Sequence, residues 1–179
     1  MIEGEKSVVE GGKHGEKTLT KRVAVIMQRR ALENRWQSEV WAPVGVICDY
    51  EGEPHPRVLV EEPGMKQRLH PGFDIVLRRS EAEGYYHNVS TQEPRVFILW
   101  RMEPDRESPA AEIAVPKFAT LSYDEASRWM DGGEHVDSVG IPAALFVWVG
   151  EFVEQNYRRE PKKRIKPQSF LSPKDRARS

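Results

Sequence analysis

The stretch RVFILWRM, residues 95–102, constrains this chain more than any other, because it alternates without leaving a side for solvent. Successive side chains of a strand point to opposite faces, so Val96, Ile98, Trp100 and Met102 share one face while Phe97 and Leu99 occupy the other. A strand that is apolar on both faces has to be central and covered twice. The rest of the chain therefore has to supply flanking strands and two covering layers.

Strand patterns separated by turn signals supply the flanks. Val23, Val25 and Met27 alternate against Ala24, Ile26 and Gln28. Val40, Ala42, Val44 and Val46 alternate against Trp41 and Ile47. Further patterns run over 57–61, 73–79, 84–89 and 112–121, with loops at DYEGEPHP, Pro63-Gly64 and TQEP. The last strand contains Pro116, whose missing N–H predicts an edge or a bulge. The period then changes. Ser122 followed by Glu125 matches a capping box, and Tyr123, Ala126, Trp129 and Met130 fall at helical spacing before Gly132-Gly133. Pro142 suits the start of a second helix, whose stripe runs through Leu145, Val149 and Phe152 toward Tyr157.

The predicted class is α+β, mainly β: about seven antiparallel strands in a barrel or sandwich, followed by two helices. That order is shared by pleckstrin-homology-like barrels; a sandwich with a helical cap is the alternative. Residues 1–20, rich in Gly, Lys and Glu, read as a disordered leader, residues 21–158 as one β-rich domain, and residues 159–179 as a disordered basic tail. A net charge of −1 hides an asymmetry. From Arg158 onward, nine Lys or Arg against Glu160 and Asp175 leave +7, so with a leader of −1 the body from Lys21 to Tyr157 carries −7. An acidic body repels a polyanion, which argues against nucleic acid as the partner.

Cys48 is the only cysteine, so no intrachain disulfide forms, and its place in VGVIC predicts a buried, quiet thiol. The N-terminus lacks the apolar stretch of a secretory signal, and no run is long enough to span a membrane, so the chain is expected in the cytoplasm.

No phosphate-cradling glycine motif, zinc-protease motif or nucleophile elbow occurs, so no catalytic residue is assigned and enzyme activity is unsupported, an uncharacterised enzyme with polar groups converging in a cavity being the third reading. The histidines, His14, His55, His70, His87 and His135, show no metal-ligand spacing. His70 and His87 facing each other on adjoining strands would give only two imidazoles. No metal and no cofactor is expected.

Between the first two strands, Arg29, Arg30, Asn34, Arg35, Trp36, Gln37 and Ser38 are too polar for a core and too aromatic for a plain loop. Trp and Arg are the commonest interface anchors, so Arg35, Trp36, Gln37 and Ser38 are the expected partner-binding residues. In the tail, Phe170 and Leu171 are the expected additional anchors. The competing reading is a small-ligand site for a nucleotide or pterin, with Arg35, Trp36, Tyr85, Tyr86 and Arg101 lining a pocket.

At NRWQSEVWAPVGV, RVLVEEPG, HPGFDIVLRRSEAEGYYHNVS, PRVFILWRME, SYDEASRWMDGGEHVDSV and PKKRIKPQSF the chain resembles a proteobacterial family of uncharacterised proteins, domain of unknown function 3305. The resemblance covers residues 22–177 and implies no established reaction. Its relatives are commonly encoded near formate dehydrogenase, which implies a non-catalytic accessory role in assembling, loading or holding that molybdenum-dependent enzyme, or work with its maturation factors.

Overall fold

The computed structural model describes residues 18–158 apart from 34, 35, 37 and 107. Strands β1 (Leu19–Ala31), β2 (Glu39–Cys48), β3 (Arg57–Glu62) and β4 (Met65–Leu77) form one antiparallel sheet in the order β2-β1-β4-β3. Helix α1 (Ala82–Val89) follows a short 3₁₀ turn. Then β5 (Arg95–Pro104), β6 (Glu112–Thr120) and β7 (Val136–Gly140) form a second sheet in the order β6-β5-β7. Helix α2 (Tyr123–Asp131) lies between β6 and β7, and α3 (Ala143–Asn156) closes the described chain. No helix among the described residues is long and apolar enough to cross a membrane.

The expected central strand is β5. Val96, Ile98 and Trp100 point into the shared core with Val23, Val25 and Met27 of β1 and Ile75 and Leu77 of β4. On its other face, Phe97 meets Tyr123 of α2 edge-on at 6.0 Å, and the neighbouring Phe118 of β6 meets Trp129 at 6.2 Å. One layer is thus the four-stranded sheet and the other is α2. Met102, expected on the inner face, is 41% exposed because the strand runs out past the core. Pro116 sits on an edge strand and beside a register shift, both of which its missing N–H favours.

The fold is sandwich-like and not the barrel that the strand count also allowed. Closure would need continuous pairing from one sheet to the other, and the end strands β2 and β3 of the first sheet pair only with β1 and β4. The count of seven is reached with different members. Residues 84–89, expected as a strand, are helical: Ala82, Tyr85 and Val89 recur at helical spacing, and the buried Asn88 fixes the helix end. Its Nδ2 donates to the carbonyls of Arg95 (2.7 Å) and Leu121 (2.8 Å), and its Oδ1 accepts from Arg95 N (2.9 Å). Gly84 lets α1 approach α2 closely, since a Cβ there would lie 2.2 Å from Ser122 Oγ. The strand not foreseen is β7, which is short and half polar and draws its order from pairing with β5.

Strand β4 begins at Met65, well before the expected 73, because Pro63 and Gly64 (φ 81°) turn the chain straight back from β3. Leu19 and Thr20 already pair with Leu77 and Val76, so the leader gives up its last residues to β1. The rest of the leader and the basic tail from 159 onward lie outside the described residues. Helix α2 starts as its capping residues require, with Ser122 Oγ accepting from Glu125 N at 3.0 Å. The return half of the box is relayed: Ser122 N donates to Thr120 Oγ1, which donates to Glu125 Oε2 at 2.6 Å.

Candidate functional site

The β1–β2 hairpin carries Trp36 at its tip, 91% exposed, with Ser38 also exposed. Arg35 and Gln37 lie outside the described residues, as do Phe170 and Leu171. Descending from the tip, the chain becomes β2 at Glu39 and at once forms one wall of a cleft of about 730 Å³. Trp41 stands in that wall. The opposite wall is Trp100, Arg101 and Met102 of β5 with Glu134, His135 and Asp137 leading into β7. The cleft opens where β7 gives out: its pairing with β5 begins only at Leu99↔Val136, whereas β5 stays paired to β6 as far as Pro104↔Glu112.

The polar groups of the cleft are arranged in pairs. Trp100 Nε1 donates to Asp137 Oδ2 at 2.8 Å, and the His135 ring lies 4.1 Å from the Trp100 ring, with its Nε2 3.3 Å from the same carboxylate oxygen. Arg101 clasps Glu134 through two hydrogen bonds, one of 3.0 Å. That hydrogen bond raises the guanidinium pKa and lowers that of the Glu134 carboxyl. Trp41 is buried, and its Nε1 has no hydrogen-bond partner in the described structure. The cleft therefore offers aromatic surface and three carboxylates against one guanidinium. Among the described residues, no serine, threonine or cysteine lines it, so none supplies a nucleophile beside the His135–Asp137 pair.

Trp41 also borders a smaller recess of about 150 Å³, where Arg68 Nη1 donates to Asp105 Oδ2 at 3.3 Å between side chains that are 9% and 13% exposed. This ion pair ties β4 to the turn after β5. Nearby His70 is buried, with its pKa pushed down to about 4 by burial first and then by Arg68 and Lys117.

Of the five residues expected to line a ligand pocket, Arg35 lies outside the described residues and the other four are not brought together. Among the described residues, Arg101 alone of them lines the cleft. Tyr85 is fully buried; its hydroxyl donates to Val76 O at 3.2 Å and accepts from Arg78 N at 3.1 Å, its ring packs against Phe152, and burial pushes its pKa up to about 12. Tyr86 stacks on Tyr157 at 4.5 Å. Both tyrosines serve the packing of α1. His70 and His87 do not face each other on strands, since His87 belongs to α1 and lies 3.3 Å from Asp124. Among the described residues, no group of three or more His, Cys, Asp or Glu is placed to hold a metal ion. Cys48 is partly exposed rather than buried, and its thiol pKa is raised by burial first and by Asp49 second.

Sequence reasoning missed Glu39, Met102, Glu134, His135 and Asp137 as cleft residues. The one available signal was Asp137, a carboxylate in an otherwise strand-like VDSVG; the rest meet only through the topology.

The chain is thus a mostly-β α+β protein of two antiparallel sheets, with an exposed Trp at a hairpin tip beside an open cleft. The chain belongs to the family described as Protein of unknown function (DUF3305), whose model matches residues 22–166. No curated protein and no solved structure matches it.

Proposed function

We propose that this chain is a non-catalytic accessory protein that holds a partner protein through the β1–β2 hairpin tip and the cleft beneath it. The observation that carries the reading is Trp36, a large aromatic side chain 91% exposed at a hairpin tip three residues from the cleft wall. Trp and Arg are among the side chains most often found as interface anchors, and Arg35 and Trp36 are neighbours in the sequence. The formate dehydrogenase neighbourhood implied by the family resemblance supplies the candidate partner: the molybdenum-dependent enzyme or one of its maturation factors. The setting is the cytoplasm, where such assembly takes place.

The test is a tagged copy expressed in its native cell, with formate dehydrogenase subunits and maturation proteins quantified by mass spectrometry after purification. Arg35→Ala with Trp36→Ala is expected to lower their recovery by about thirtyfold or more, the effect of losing roughly 2 kcal/mol of binding. Circular dichroism and melting should be unchanged. Equal recovery from the variant, or loss matched by unfolding, refutes the docking surface.

The cleft is large enough for a small molecule. A nucleotide or pterin reading is the weaker one, because among the described residues only one of the side chains proposed for it lines the cleft.

A further inference from the structure

The cleft has the form of an unpaired strand position. Past Trp100, whose N–H still donates to His135 O at 3.1 Å, the side of β5 that faced β7 pairs with no strand among the described residues, although β5 continues to Pro104. Across the cleft, β2 ends its sheet and presents its outer edge from Glu39 to Ala42. Two open edges therefore border one groove, with the Trp41 side chain in its wall. An extended segment supplies what this groove lacks: carbonyl acceptors, alternating side chains and main-chain donors for two edges.

We propose that the segment is the chain's own sequence following α3. Residues 168–171, QSFL, would lie against Arg101 and Met102, seating Phe170 on the Trp41 and Trp100 surface, while the basic run at 162–166 tracks the acidic body. Charge favours this occupant. The cleft sets Glu39, Glu134 and Asp137 against Arg101, with Arg29 near Glu39 from the far side, and the body of −7 faces a segment of +7. Length allows it as well. Tyr157 stacks on Tyr86 of α1, whose end is tied to Arg95 at the start of β5. From there to Met102 is seven strand positions, about 23 Å, whereas the 13 residues from Tyr157 to Phe170 span up to about 45 Å. The family match also runs past α3, to residue 166. The inference goes beyond the docking reading and is tested without any partner.

Hydrogen–deuterium exchange on the full chain tests it. Phe170→Ala with Leu171→Ala, and separately reversal of Lys162, Lys163, Arg164 and Lys166 to Glu, should each speed exchange of the cleft-facing amides of Glu39, Trp41 and Met102 by about tenfold or more, the amides between them being bonded to β1 and β6. The amides of β1 and β4 should keep their rates. A synthetic peptide of residues 160–173 added to the charge-reversed chain should restore the protection. Unchanged exchange at those amides in both variants overturns the proposal, as does acceleration spread evenly over β1 and β4. Protection that rises with protein concentration together with a doubled mass in light scattering also overturns it, because the occupant is then a second copy. Since no partner is present, lost co-purification with intact cleft protection counts only against the docking reading.

Discussion

Replacing Asn88 by Ala removes a three-way clasp. The side chain is 2% exposed and joins the end of α1 to the start of β5 and to the residue after β6, through bonds of 2.7, 2.8 and 2.9 Å. A net hydrogen bond contributes about 1 kcal/mol, and a buried group left without its partner costs about 1–3 kcal/mol. Truncation orphans one N–H and weakens two carbonyls, so the expected loss is about 3–4 kcal/mol, a large share of a small domain's stability. For a domain of this size that corresponds to a melting temperature lower by roughly 10 °C. Asn88→Asp should do at least as badly at neutral pH, because the carboxylate loses both donors and faces two carbonyl oxygens. Calorimetry or a thermal melt by circular dichroism measures the change. A Asn88→Ala variant melting within about 3 °C of the parent refutes the claim that the clasp holds α1 in its helical setting.

Gly84→Ala forces a Cβ to 2.2 Å from Ser122 Oγ, displacing a side chain that also donates to Glu81 at 2.7 Å and caps α2, so a loss of about 1–3 kcal/mol is expected in urea titrations; an unchanged midpoint would show that the contact relaxes freely. His70 has a native pKa of about 4 against 6.5 when unfolded, so the unfolded chain binds the extra proton between those values. Stability is complete above pH 6.5 and falls as the pH drops toward 4, by up to about 3 kcal/mol, and His70→Gln should flatten that slope in melts taken across the window; parallel slopes would remove His70 as the cause. Trp100→Ala, cutting a buried side chain from the central strand, is expected to lose about 3–5 kcal/mol, and an unaltered melt contradicts its place in the core. Cys48, with its raised pKa, should react with a polar thiol reagent several-fold more slowly in the native protein than in the unfolded chain; equal rates refute the shielding.

Local signals carried far where one side chain had one reading. β5 was legible because RVFILWRM has no polar face, and α2 because Ser122, Glu125 and Gly132-Gly133 mark both of its ends. The segment GYYHNV misleads for a physical reason: aromatic and β-branched residues favour strands, and the helix is imposed by Asn88 bonding to backbone 7 and 33 residues away. β7 has too little apolar alternation to announce itself and is ordered by its partner. Trp36 stood out because its neighbours are polar, and the structure leaves it exposed. The cleft was illegible, since Glu39, Met102 and Asp137 share no sequence pattern and meet only after two sheets have packed.

The strand β3 bears on how this molecule behaves in a crowded cell. Five of its six residues are exposed, a register shift interrupts it between Val58 and Val60, and it ends in Glu61 and Glu62 before the Pro63 turn. Each of these features discourages another chain from pairing there. Open-ended fibre growth needs a receptive edge at both sides of the subunit, so that every added copy offers the next one a seat. With the β3 side blunted, a strand accepted on the β2 side cannot propagate across this sheet. Association through that edge stops after one step, giving a discrete complex where two receptive edges would give a filament.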